Sequence, residues 1–189
     1  MAAIQKLIED PKITGDVRLA AEALLQKVAW KQNPALTLTA DSLLAWDGNC
    51  WFSALLFFLR LQKRDNQKET GEPWNVKALR AQVYDYILKE HPCFFPMYYN
   101  ADPAREGIDL RELFNTDNKY LRDSSNYSTT SNMGDFVPLA ISMLFSMHIT
   151  IVQHTGLVLT VGHDDHKHKM TVGRIELPTV QHVHALVLK

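Results

Sequence analysis

The sequence predicts an α+β fold with helices first and a sheet last, on three observations. Apolar residues recur at helical spacing in "KITGDVRLAAEALLQKVAWKQ", "NVKALRAQVYDYILKEH" and "GDFVPLAISMLFSMH". The end of the chain breaks into β-branched and alternating runs, "ITIV", "LVLTV", "KMTVGRIEL" and "HVHALVL". No repeat, low-complexity segment or Pro/Gly/Ser-rich linker divides the 189 residues, a length that fills one domain. The segregation of helices from strands is the pattern of an α+β protein.

The elements follow in order. Val17, Leu19, Ala20, Leu24 and Val28 fit a first helix, part of a helical extension over residues 1 to 40, and "NPALTLTADS" breaks its period. "WDGNCWFSALLFFL" then sets Cys50 between a polar turn and an apolar run. Residues 51 to 62 place Phe52, Leu55, Leu56 and Leu59 on one side and Ala54, Phe58 and Leu61 on the other, so that helix is expected to be buried all round. After the loop "KRDNQKETGEP", Asn75 is the expected N-cap of the next helix and Pro92 its stop. Residues 93 to 132 are mixed, and "NTDNKYLRDSSNYSTTSN" reads as loop or short helices. Pro138 suits the first turn of a helix that runs directly into "ITIV". Of the last strands, "LVLTV" and "KMTVGRIEL" are expected to be joined by "GHDDHKHK" as a hairpin tip.

Composition narrows the function. A net charge of −1 leaves no basic excess for a nucleic-acid partner. "MAAIQKLIEDPKITG" lacks the basic flank and apolar stretch of a signal peptide, and "WFSALLFFL" and "FVPLAISMLFSM" are too short to span a bilayer. Cys50 and Cys93 are the only cysteines, which excludes a disulfide scaffold and fits an intracellular, reducing compartment.

Cys50 carries the chemistry. "DGN" does not readily continue a helix, so a helix begins near Cys50, and its unpaired N–H groups and positive dipole end favour a thiolate. Gly48 permits a turn that aims amides at one point, as an oxyanion hole requires. Cys93, among aromatic and proline neighbours in "HPCFFP", reads as a packed structural thiol. A thiolate nucleophile needs a base, and histidine serves at neutral pH. His91, His148 and His154 sit at element ends and receive no role. His163, His166 and His168 crowd the charged "GHDDHKHK", where no metal is assigned. His182 and His184 remain, one residue apart in a strand and therefore on one face, so that one could orient the other.

These residues carry a family resemblance. "DGNCWFSAL" resembles the cysteine box of the ovarian-tumour (OTU) family of deubiquitinating cysteine proteases, "GDFVPLAISMLFSMHITIV" its second block, and "HVHALV" its terminal histidine block. The three stand in family order and cover the chain from about residue 41 to its end, leaving 1 to 40 and the insert 93 to 132 unmatched. The resemblance implies one catalytic domain over 1–189 with a papain-like fold of OTU type, a buried nucleophile helix packed on a small, mainly antiparallel sheet. It implies hydrolysis of isopeptide bonds at the C-terminus of ubiquitin or a ubiquitin-like protein, with no cofactor. Carried across by residue, Cys50 matches the nucleophile, His182 the general base, and Asp47, Gly48 and Asn49 the oxyanion loop.

Met133 stands where the family usually has Trp, Val183 where it has an aromatic residue, and His184 where it has Asp or Asn. The third catalytic member therefore stays open between His184, which could accept a hydrogen bond from His182, and an upstream acid, Asp41 or Asp47. Two other classes stay open too: a ubiquitin-binding module without turnover, and another papain-like thiol peptidase or acyltransferase. The flanks and compact size resemble divergent OTU proteases that bacterial pathogens deliver into host cells, which would place the protein in the host cytoplasm.

Overall fold

The apolar run after the polar turn folds as a helix buried on nearly every side. The computed structural model describes residues 36–38, 49–67, 69–90, 94, 110–123, 136–153, 157–177 and 180–188. The expected helix at 17–28, Pro92, Cys93 and most of the 93–132 insert lie outside the described residues. The described elements are β1 (Leu36–Leu38), α1 (Cys50–Leu61), α2 (Val76–Lys89), α3 (Leu110–Asp123), α4 (Val137–Phe145), β2 (Met147–Gln153), β3 (Val158–Val161), β4 (His168–Leu177) and β5 (Val180–Leu188). They form a mixed α+β structure in which α1 packs against α2, α4, β4 and β5.

Eight of the twelve residues of α1 are buried, including Phe52, Ala54, Leu55, Phe58 and Leu59, as its all-round apolar pattern requires. Two side chains anchor its far end. Gln62 donates through Nε2 to the Lys169 carbonyl at 2.8 Å, and Arg64 through Nη2 to the Phe145 carbonyl at 3.0 Å, tying the helix to β4 and to the end of α4. Helix α2 begins where expected: the Asn75 side chain accepts from the Ala78 N–H at 2.9 Å. Its buried stripe is Leu79, Val83 and Ile87, with Arg80 and Tyr84 beside it one residue on.

The polar stretch expected as loop or short helices begins inside a helix of fourteen residues, α3, which takes in its first nine residues, 115 to 123. Among its described residues Phe114 and Leu121, two turns apart, are buried, and α3 packs on α2, with Arg122 paired to Asp85 at 2.7 Å. Helix α4 carries Pro138 in its first turn and ends at Ser146, whose left-handed φ of 52° turns the chain into β2 at once.

The sheet departs from expectation in two places. Leu36–Leu38, within the stretch read as a break, form an edge strand antiparallel to β5. The strand order is β1-β5-β4-β2-β3, so "GHDDHKHK" is not a hairpin tip. Strands β3 and β4 both pair with β2, antiparallel and parallel respectively, and residues 162–167 cross over the start of β2 between them. Local alternation identifies strands but not their neighbours, and a charged turn suits a crossing as well as a hairpin.

That crossing explains Gly162. At φ +98° a Cβ there would lie 2.2 Å from Ser142 Oγ and 2.8 Å from the Met147 carbonyl oxygen. Gly162→Ala is expected to lower the unfolding free energy by about 2 kcal/mol or more in equilibrium urea denaturation, because backbone strain and overlap with a fixed carbonyl add. Gly71→Ala, at φ +70° with nothing within 4 Å of its Cβ, should cost less, since only the backbone contributes.

Among the described residues no helix is long and apolar enough to cross a membrane.

Candidate active site

Asn49 and Cys50 mark the change from turn to helix. Asn49, at φ −106° and ψ 8°, is the N-cap of α1, and its carbonyl accepts the first helical bond from Ser53 N–H at 2.9 Å. Cys50 is the first helical residue, a thiol outside any disulfide and 8% exposed. The sulfur thus sits at the positive end of a helix whose remainder is fixed in the core.

Helix α2 supplies the surroundings. Arg80 is 3% exposed, and its guanidinium donates from Nη1 to Asn49 Oδ1 at 2.9 Å and from Nε to the Leu121 carbonyl at 2.5 Å. Its carbon centre lies 5.4 Å from the ring centroid of Phe52 and 5.6 Å from that of Tyr84, so two aromatic rings flank the cation. Tyr84 is fully buried, and burial pushes its hydroxyl up to about 12. The Arg80 cation pulls against that rise, and Cys50 adds to it. The tyrosine therefore stays a neutral hydroxyl near the thiol at physiological pH. Arg80 and Tyr84 carry no role in the sequence reading. The available signal was a charged residue and a tyrosine one helical turn apart, next to the stripe of Leu79, Val83 and Ile87.

On the other side, α1 packs against β5, the strand that carries both candidate histidines. His182 is paired with Ile175 and His184 with Gly173 in the ladder between β4 and β5. Val183 and Ala185 join the buried cluster that contains Cys50, whereas Leu186, on the same strand face as His184, is buried outside it. His184 itself is 2% exposed. The side chain of His182, and Asp41, Asp47 and Gly48 altogether, lie outside the described residues. The structure thus brings together Asn49, Cys50, Arg80 and Tyr84, and sets the helix headed by Cys50 beside the histidine strand.

The histidines of the crossing segment form a separate group. His148 Nδ1 lies 3.2 Å from the His163 carbonyl oxygen and 3.4 Å from Asp164, and the rings of His163 and His166 are 5.7 Å apart. Partial burial, then the Arg64 and Lys167 cations, hold the His168 imidazole below its ordinary range. Among the described residues no three His, Cys, Asp or Glu side chains gather as a ligand set for a metal ion. A cavity of about 730 Å³ lies toward the far end of α1, lined by Leu59, Arg64, Trp74, Gln82 and Phe145 among others, away from the thiol.

No protein-family model matches the chain, and no curated protein does. Among solved structures the chain is similar to the Hazara virus OTU, solved bound to ubiquitin. The identity is 15%, the match covers 83% of this chain and 84% of that one, and the TM-score is 0.45.

Proposed function

We propose that the chain is a cysteine hydrolase of OTU type, with a papain-like arrangement, that cleaves the isopeptide bond at the C-terminus of ubiquitin or a ubiquitin-like protein. The observation that carries this reading is the place of Cys50: first residue of a buried helix that packs against β5, the strand on which His182 and His184 alternate with the core residues Val183 and Ala185. The three sequence blocks that resemble the OTU family support the substrate class.

The chemistry runs through a thioester. With its proton held by His182, Cys50 Sγ attacks the carbonyl carbon of the terminal glycine, and amides of the 47–50 turn hold the oxyanion. His182 gives its proton to the lysine nitrogen as the C–N bond breaks. Water, deprotonated by the same imidazole, then attacks the thioester and returns the thiolate. Such acyl transfer needs no metal or organic cofactor, and it needs Cys50 reduced, which fits an intracellular reducing compartment. At 8% exposure the thiol suits an extended, glycine-ended tail better than a bulky side chain. The surface that grips folded ubiquitin would draw on the 93–132 insert.

A panel of ubiquitin chains tests the reading. Cleavage supports it. Binding without cleavage would replace it with a ubiquitin-binding module, and neither would point to a thiol enzyme acting on another acyl substrate.

The third member of the triad is assigned to His184 over Asp41 and Asp47, since His184 occupies the family's orienting position. His184→Ala is expected to lower kcat by at least about tenfold, with His184→Asn or His184→Asp restoring much of it, because either side chain can accept the same hydrogen bond. As His184 is buried, an unfolding midpoint measured alongside separates lost orientation from a cavity. A mild His184→Ala together with a severe Asp41→Ala or Asp47→Ala would move the role upstream.

A further inference from the structure

Two asparagines hold N-cap positions in this fold and use them differently. Asn75 spends its side-chain oxygen on its own helix, accepting from the Ala78 N–H at 2.9 Å. The Asn49 side chain makes no capping hydrogen bond at the start of α1, and its Oδ1 accepts instead from Arg80 Nη1, 31 residues away on α2. An asparagine at this position ordinarily accepts an N–H of the first turn, a contribution of about 1 kcal/mol. Here that bond is forgone in favour of one to a buried guanidinium.

Arg80 is well placed to hold it. Burying a guanidinium is costly unless its donors are engaged, and this one is anchored to the Leu121 carbonyl through Nε and flanked by Phe52 and Tyr84. Its planar fork lets one edge fix the group to α3 while another nitrogen reaches the turn before the thiol, which a lysine ammonium could not reproduce. Arg80 and Cys50 also both act electrostatically on Tyr84, in opposite senses, so guanidinium and sulfur share one neighbourhood.

We propose that Arg80 is a positioning residue for Cys50: by drawing the Asn49 side chain off the end of α1 it removes a competitor for the first-turn amides, which then serve the thiolate and the oxyanion. This rests on the reading of Cys50 as a nucleophile, though not on ubiquitin as substrate. The arrangement exchanges helix stability for reactivity at the helix's first residue.

The test leaves Arg80 in place and compares Asn49→Ala with Asn49→Ser. Both remove the acceptor that Arg80 holds, but only serine can cap α1, and it is too short to keep the arginine contact. Alkylation of Cys50 by iodoacetamide is followed across pH by mass spectrometry of its peptide, with thermal unfolding and kcat measured on the same proteins. Asn49→Ser is expected to be the more stable of the two and yet to alkylate about fivefold more slowly near neutral pH, the worth of one capping bond, with its half-maximal pH displaced upward. Arg80→Met should slow alkylation as well, and adding Asn49→Ala to it should recover part of the rate, because no side chain is left to cap.

Equal alkylation profiles for Asn49→Ala and Asn49→Ser would overturn the proposal, as would a double variant slower than Arg80→Met alone, since a purely structural arginine gives additive losses. If Arg80→Met does not fold, the alanine–serine comparison decides. A parent that alkylates in this pattern yet cleaves no ubiquitin chain would retain the role of Arg80 and refute the substrate.

Discussion

Cys50→Ala is expected to leave no measurable cleavage of a ubiquitin substrate, a loss on the order of ten-thousandfold or more, while Cys93→Ser keeps the parent rate. Without sulfur no thioester forms, and an alanine methyl offers no other nucleophile. The variant should stay folded: alanine is the strongest helix former, and only one sulfur atom leaves a residue at the end of α1 rather than its middle. An unfolding midpoint within a few degrees of parent would show that chemistry was lost and structure kept. Cys50→Ala should therefore still bind ubiquitin.

His182→Ala is expected to cost on the order of a hundredfold or more in kcat, with KM changed far less. Two steps fail together: the thiolate loses the partner that takes its proton, and the lysine amine leaves unprotonated. A near-parent rate in His182→Ala beside a dead His184→Ala would mean that the terminal block has been aligned two residues out of register.

The parts of the fold that sequence reveals are those whose cause is local. Helix α1 declares itself by apolar residues on every face, α2 by its cap at Asn75, and α4 by Pro138 before an apolar run. Those signals act within a turn or two of chain. Helix α3 is hidden because its sequence is mostly polar, and what holds it is tertiary: Phe114 and Leu121 against the core and Arg122 on Asp85. Strand β1 is three residues long and exists through its pairing with Leu186, Val187 and Leu188. The placing of β2 between β3 and β4 is a global choice that alternation cannot encode.

The candidate site divides along the same line. Cys50 is legible because the polar turn, the thiol and the apolar helix are consecutive. Arg80 is not, because a charged residue on an amphipathic helix ordinarily faces water. Its burial follows from a carbonyl on α3 and an amide on the α1 turn that only the fold brings near.

The most direct measurement is labelling with a ubiquitin probe that ends in an electrophile, followed by peptide mapping. One adduct is expected, on the peptide containing Cys50, formed equally in Cys93→Ser and absent in Cys50→Ala. An adduct that persists in Cys50→Ala, or a folded parent protein that the probe leaves unmodified, would contradict it.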